Sequence, residues 1–174
     1  QNAGKAENFG FETEIDYQAT ENLRLSANYS YIDASMAEDF IDAQFGTVVA
    51  EKGSTLPGSS KHAFSLFADW QMPLTSSLSL LANASYRYVG SRPNIFGTVG
   101  NGLTAAFPDD IPSFDIVNLL VGVRHDNGVT VSLFANNLFD ERAVQENATI
   151  GSAPLHTAIM NRPRAIGLKA GYQF

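Results

Sequence analysis

The sequence predicts an all-β fold: an antiparallel sheet of about seven strands that forms a segment of a transmembrane β-barrel. Three observations predict this fold. Apolar and polar residues alternate along most of the chain, so that each strand has one apolar and one polar face. Short turns and long loops alternate as connections, which places all the long loops at one end of the sheet. Aromatic residues on the apolar faces gather near strand ends, as they do at the two interfaces of a membrane.

The first four predicted strands form two hairpins. Strands over about 7–17 and about 22–33 are joined by the turn ATEN (19–22). A third strand turns at PLTSS (73–77) into a fourth. Their apolar faces are, in chain order, Phe9, Phe11, Thr13, Ile15 and Tyr17; Leu23, Leu25, Ala27, Tyr29 and Tyr31; Phe64, Leu66, Ala68 and Trp70; and Leu78, Leu80, Ala82, Ala84, Tyr86 and Tyr88.

The last three predicted strands are more apolar. A fifth strand, about 114–124, has so few polar residues that its facing rests on a choice of one alternating set. HDNG (125–128) is a strong hairpin signal before the sixth strand. The seventh strand alternates up to the final residue of the chain. The chosen apolar faces are Val117, Leu119, Val121 and Val123; Val129, Val131, Leu133 and Ala135; and Ile166, Leu168, Ala170, Tyr172 and Phe174.

The opposite faces are rich in serine, asparagine and glycine, and they carry the strand cations. Arg24, Arg87, Arg124 and Lys169 all fall on this side. A basic residue that faces lipid at the bilayer midplane costs about 2–4 kcal/mol. The apolar side is therefore predicted to face lipid and the polar side a wet lumen. A soluble β-sandwich shows the same alternation and stays an alternative, although it does not require the loop asymmetry or the aromatic bands.

Composition excludes several classes of function. Charged residues make up 17% of the chain, less than the roughly 25% usual for soluble domains. The net charge of −7 and the lack of a basic run argue against a nucleic-acid partner. Cysteine is absent, which excludes disulfides, thiolate nucleophiles and Cys-ligated zinc. We expect no enzyme activity and no cofactor.

Two stretches near the end of the chain resemble the TonB-dependent outer-membrane receptors. FANNLFDER (134–142) is similar to their Asn-Leu-Phe-Asp motif, here Asn137, Leu138, Phe139 and Asp140, and RPRAIGLKAGYQF (162–174) resembles their final strand. AENFGFETEIDYQATENLRLSANYSYIDA (6–34) resembles an earlier barrel hairpin. Ala143 departs from the pattern, because the family often has an aromatic residue at this position.

The resemblance implies a barrel with short periplasmic turns and long extracellular loops in the outer membrane of a Gram-negative bacterium. Bacterial single-chain barrels have an even number of strands, and receptors of this kind have roughly 22. Residues 1–174 are therefore expected to be the C-terminal part of such a barrel, without the plug domain. The implied function is uptake of a scarce ligand, above all an iron–siderophore complex, energised by the TonB complex through the plug. A passive porin or a small structural or adhesive barrel is the alternative.

The resemblance also implies a role for the last strand in assembly. In outer-membrane proteins, a terminal strand that alternates and ends in an aromatic residue is read by the barrel-assembly machinery. Leu168, Ala170, Tyr172 and Phe174 are the residues expected to form that signal. The same residues would contact outer-membrane lipid, and the two roles are compatible.

No catalytic or metal constellation is predicted. His62, His125 and His156 lie far apart along the chain, each in or beside a loop; loop polarity is the expected role and a shared metal site is the alternative. Asp109 and Asp110 are expected to form a solvated loop, with a cation site as the alternative. Three acidic residues of the first strand can be calcium ligands or acid–base groups, but a lumen stripe paired with Arg24 is the simpler expectation. They are Glu12, Glu14 and Asp16.

The long loops are the expected ligand-recognition elements. They span 34–60, 90–112 and 140–161. Four aromatic residues are candidates for contact with a bulky ligand, with loop packing as the alternative role; they are Phe40, Phe45, Phe96 and Phe107. Asn136 and Asn137 either line a substrate path or satisfy backbone groups where the strand ends. The second reading is favoured.

Overall fold

The computed structural model describes residues 4–44, 46–96, 110–149 and 156–173. Within these ranges no helix is long and apolar enough to cross a membrane. The described residues form thirteen strands: β1 (Ala6–Thr20), β2 (Leu23–Met36), β3 (Phe40–Ile41), β4 (Val48–Ala50), β5 (His62–Pro73), β6 (Leu78–Val89), β7 (Arg92–Pro93), β8 (Asp110–Ile111), β9 (Phe114–His125), β10 (Val129–Asn136), β11 (Val144–Thr149), β12 (His156–Met160) and β13 (Ala165–Tyr172).

Seven of these strands make one antiparallel meander. The strand order is β1-β2-β5-β6-β9-β10-β13, and neighbouring strands are antiparallel. Short turns close β1–β2, β5–β6 and β9–β10 at one end, and the long connections lie at the other end. In the 125–128 turn, Gly128 takes a φ of +91° that side-chain-bearing residues rarely adopt. The predicted seven-stranded antiparallel fold is confirmed.

Two features of the sheet differ from the sequence prediction. β1 and β2 extend beyond the predicted bounds, because their backbone ladder continues to the pair Ala6↔Met36. The three segments predicted as loops contain small two-stranded sheets, β3–β4, β7–β8 and β11–β12. These segments lack regular alternation of apolar and polar residues, so the sequence did not predict their short strands.

The register places the predicted apolar faces side by side. One row runs Leu25, Ala68, Ala84 and Leu119 across four neighbouring strands. The chosen facing of the fifth predicted strand is correct, because Val121 lies opposite Ala82 of β6. Since side-chain direction alternates with period two, one in-register pair per strand fixes the facing of all its residues.

The sheet is a single layer over the described residues. The buried apolar side chains lie at the ends of long strands or in the long connections; they are Ala34, Met36, Ala50, Ile111, Phe114 and Ala143. Leu66 on the apolar face is 47% exposed, and its neighbour Phe67 on the polar face is 46% exposed. A soluble sandwich would cover one of these faces with a second sheet. The arrangement is that of a barrel wall.

Aromatic residues form a band at the long-loop end of the apolar face. The ring centroids of Phe11 and Tyr29 are 5.7 Å apart, and those of Phe64 and Tyr88 are 5.3 Å apart. At the short-turn end, Trp70 and Tyr172 lie on the same face. Two such belts flanking an aliphatic zone are typical of membrane-spanning barrels.

Close packing on the polar face depends on two glycines. A Cβ atom at Gly122 would lie 2.4 Å from Cβ of Ser132 and 2.5 Å from the backbone oxygen of Val131. At Gly167 it would lie 2.8 Å from Cζ of Phe134, whose ring covers the glycine. Because glycine has no side chain, residues of the neighbouring strand can approach the backbone closely at both positions.

Candidate functional site

The polar face is cross-linked by side-chain bonds between neighbouring strands. Arg24 Nη2 lies 3.1 Å from Asp16 Oδ1, which also accepts a hydrogen bond from the Ser26 hydroxyl. The predicted pairing of the acidic stripe with Arg24 is thus confirmed for Asp16. Further along, Arg124 Nη2 donates to Gln71 Oε1 at 3.3 Å. These bonds stiffen a wall that carries both signs of charge.

Glu12 and Glu14, the rest of the acidic stripe, border an open groove on this wall. The groove has a volume of about 460 Å³, and Arg87 lies on its other side. Between them the lining combines small polar residues, among them Asn28, Ser30 and Ser65, with the aromatic residues Tyr29, Phe64 and Tyr88. A groove with carboxylates at one edge and a guanidinium at the other can hold a ligand or segment that itself carries both charges.

The structure does not bring the three histidines of the sequence together. His62 lies at the long-loop end of β5 and His125 at the short-turn end of β9, while the side chain of His156 lies outside the described residues. Nδ1 of His62 is 2.9 Å from the Tyr29 hydroxyl. Within the described part of the chain, no group of three or more His, Asp or Glu residues could hold a metal ion.

The second long connection contacts the first and the third at the far end of the sheet. Gly58 N–H donates to the Pro93 carbonyl at 2.8 Å, which joins the first and second connections. Arg92 Nη2 donates to the Gln145 carbonyl at 2.6 Å, which joins the second and third. A cavity of about 440 Å³ lies between the first two and is lined by Lys61 and Asp110, among others. The second connection therefore contacts both of the others.

Two of the four predicted loop aromatics can be placed. The rings of Phe40 and Phe96 are 6.5 Å apart, so these residues join the first and second connections. This contact is the packing role weighed above, and it leaves the ligand-contact role untested. Phe45 and Phe107 lie outside the described residues, as does Asp109.

The Asn-Leu-Phe-Asp motif forms a tight turn at the end of β10. Asn137 is 5% exposed and has a φ of +51°, and Asp140 has a φ of +55°. Asn137 N–H donates to Asn118 Oδ1 at 2.9 Å, and its Oδ1 accepts from Glu141 N–H at 2.9 Å. Its Nδ2 donates to the carbonyls of Glu141 and Arg162, each at 3.0 Å. The backbone-satisfying role predicted for Asn137 is confirmed.

Asp140 ties the motif turn to the start of the last strand. Its Oδ1 accepts the Arg164 N–H at 2.8 Å, and its Oδ2 lies 3.5 Å from Arg142 Nη2. The Arg164 N–H, with Arg142 beside it, lowers the pKa of the Asp140 carboxyl below its usual value. Leu138 N–H donates to the Val117 carbonyl, while Phe139 is 71% exposed.

Sequence reasoning missed the partners of this turn. Asn118, Arg162 and Arg164 bond to the motif, but the sequence pattern assigned this role to none of them. A weak signal existed for Asn118, because it is the one polar side chain in residues 116–123 of a nearly apolar strand. Its amide bridges Ser85 of β6 and Asn137, with Nδ2 3.0 Å from the Ser85 hydroxyl.

The terminal strand β13 pairs with β10 along its whole length. Leu168 lies opposite Leu133, Ala170 opposite Val131, and Tyr172 opposite Val129. Leu168 is 77% exposed on the apolar face, which is suitable for contact with lipid. Phe174, the last member of the expected assembly signal, lies outside the described residues. The signal role of these four residues stays a prediction.

Comparison with known proteins assigns the family. The family described as TonB dependent receptor-like, beta-barrel matches residues 1–138. The metal-pseudopaline receptor CntO of Pseudomonas aeruginosa is 32% identical over 142 residues, which cover 82% of this chain and 18% of that protein. The ferric-pyoverdine M114 receptor PbuA of Pseudomonas sp. strain M114 is 28% identical over 152 residues, or 86% and 17% of the two chains. This chain thus spans about a fifth of the length of these relatives.

Solved structures agree on the fold. The ferric yersiniabactin uptake receptor FyuA of Yersinia pestis superposes with a TM-score of 0.73 at 18% identity, over 97% of this chain and 24% of that chain. The closed form of the ferric-catecholate import receptor Fiu of E. coli K12 gives a TM-score of 0.69 at 25% identity, over 98% and 21%. These two curated relatives and two solved structures are all named as receptors. The chain therefore belongs to the TonB-dependent receptor β-barrel family of Gram-negative outer-membrane proteins.

Proposed function

We propose that residues 1–174 are the C-terminal part of the barrel of a receptor that imports a metal–chelate complex, above all an iron–siderophore. The family match over residues 1–138 supports the receptor class, and the named relatives support the ligand class. The relatives named above are receptors for metal-pseudopaline and ferric-pyoverdine, which are both metal chelates. Because this chain spans only about a fifth of them, the plug and its contact with the TonB complex belong to other parts of the protein.

The arrangement of the sheet supports a recognition role for the loop end. We place the aliphatic zone between the two aromatic belts against lipid. Because barrels of this family have short periplasmic turns and long extracellular loops, the short turns are then expected to face the periplasm and the joined connections the outside. A ligand that arrives from outside meets these connections first, and the polar wall below them second. The wall offers the groove between Glu12 and Arg87, which suits a chelate that carries both polar and charged groups.

The last strand supports an assembly role that goes with the transport role. β13 exposes Leu168 and Tyr172 on the apolar face of the sheet. We expect the barrel-assembly machinery to read Leu168, Ala170, Tyr172 and Phe174 as a C-terminal strand signal. Lipid contact alone would require apolar residues here but no particular terminal residue.

The transport proposal is tested by uptake assays with energy coupling as the variable. Cells that carry the protein, and matched cells that lack it, receive radiolabelled ferric chelates of the catecholate and pyoverdine types and a metal-pseudopaline. Each assay is repeated in a strain without a functional TonB complex. Uptake of at least one chelate that requires both the protein and TonB supports the proposal. Uptake that persists without TonB would indicate a passive porin, and failure to import any chelate would refute the ligand class.

A further inference from the structure

The third connection leaves and rejoins the barrel at one point, and both of its legs are held there. Ala143 N–H donates to Asn161 Oδ1 at 3.0 Å, and Asn161 N–H donates back to the Ala143 carbonyl at 3.0 Å. Asn137 Nδ2 reaches the carbonyls of Glu141 on the outgoing leg and Arg162 on the returning leg. One side chain therefore binds both legs of the hairpin β11–β12 at its base.

The residue type at this position is informative. A φ of +51° favours glycine, and asparagine tolerates it better than most other residues. If the turn needed only its backbone shape, glycine would serve at least as well. The amide instead makes three side-chain bonds while almost fully buried, and it satisfies backbone groups that water cannot reach. The side chain, rather than the backbone shape alone, is what the site uses.

A second attachment holds the hairpin further out. Arg92 is half-buried, and its bond to the Gln145 carbonyl fixes the first part of β11 to the second connection. The hairpin is thus fixed at its base to the end of β10 and at its stem to a neighbouring connection. Two separated attachments restrain both the position and the tilt of a hairpin, whereas one attachment would leave it free to pivot.

We propose that Asn137 is a positioning residue that sets the direction in which the third connection leaves the end of the sheet, with Arg92 as its second attachment. This proposal concerns geometry and is independent of the ligand. Its consequence for recognition rests on the proposed function, because only a receptor would use the connection to hold a chelate.

The experiment measures the direction of the hairpin directly in the protein held in outer-membrane vesicles. Spin labels are placed on cysteines at Glu146 on β11 and Asp115 on β9, both exposed, and the distance between them is recorded by pulsed electron resonance. Asn137→Gly keeps the backbone turn and removes the amide. Asn136→Gly makes the same exchange one residue earlier, at an exposed strand position whose side chain makes none of the bonds described above.

The expected result is a single narrow distance in the parent protein and in Asn136→Gly, and a loss of that narrow distance in Asn137→Gly. Heat-modifiable gel mobility confirms that each variant has inserted. Asn137→Asp retains the acceptor for Glu141 N–H but loses both donors, so it should also lose the narrow distance and serves if the glycine variant does not insert. A narrow distance retained in an inserted Asn137 variant would overturn the proposal. Chelate uptake, measured separately, decides the proposed function and does not affect this result.

Discussion

A matched pair of arginine substitutions tests which face of the sheet meets lipid. Leu66 and Phe67 are adjacent residues of β5, at the same depth, with nearly equal exposure on opposite faces. Leu66 lies between the two aromatic belts, so Leu66→Arg would place a guanidinium near the bilayer midplane. The expected cost is about 2–4 kcal/mol of unfolding free energy. At about 1.4 kcal/mol for each factor of ten, this corresponds to a roughly 30- to 700-fold shift in the unfolding equilibrium.

Phe67→Arg is the control on the wet side. The new cation would lie opposite Ser26 on the polar face, where water can stabilise it. Its expected effect is within about 0.5 kcal/mol. Both variants are unfolded by urea in lipid vesicles and compared with the parent protein. Equal costs for the two substitutions, or a larger cost for Phe67→Arg, would refute the assignment of the apolar face to lipid.

Three further predictions concern the turn, the glycines and the chain end. Because the pKa of Asp140 is lowered in the folded protein, this carboxylate should stabilise the turn fully at pH values above its ordinary pKa of 3.8, and the stabilisation should be lost as the pH falls through the lowered pKa. Hydrogen exchange of the Arg164 amide should show this loss, and the Asp140→Asn variant should show no such dependence on pH. Gly122→Ala should destabilise the sheet strongly, since its Cβ would meet a neighbouring strand, whereas Gly171→Ala, with open space around it, should not; equal denaturation midpoints would contradict this. Deletion of Phe174 should reduce the yield of inserted protein more than it reduces the stability of protein that has inserted, and normal yield would remove the assembly signal.

The faces of the seven long strands could be predicted because they depend on a local property. Alternation of apolar and polar residues is visible in the sequence, and residues paired across antiparallel strands point to the same face of the sheet. The fifth strand shows the limit, since its continuous apolar run gave two possible facings. Its pairing with β6, in which Leu119 lies opposite Ala84, determines the choice.

The motif turn and the paired connections could not be predicted in the same way, because they depend on contacts between distant residues. Asn137 binds residues 19 positions before it and 25 positions after it. Arg92 reaches a carbonyl 53 positions away. A backbone carbonyl has no residue-specific signature, so a sequence shows the donor but not its acceptor. The acidic stripe was partly predictable, since Asp16 and Arg24 are diagonal neighbours on the two strands of one short hairpin.

The ring of Phe134 above Gly167 has a consequence for how this sequence can change over time. Any side chain at 167 would displace the ring, and a smaller residue at 134 would leave the glycine backbone uncovered. A single replacement at either position is therefore disfavoured, whereas a paired exchange of size is tolerable. In other members of the family, the residues equivalent to these two should vary together, so that a large side chain on one strand lies opposite a glycine or another small residue on the next.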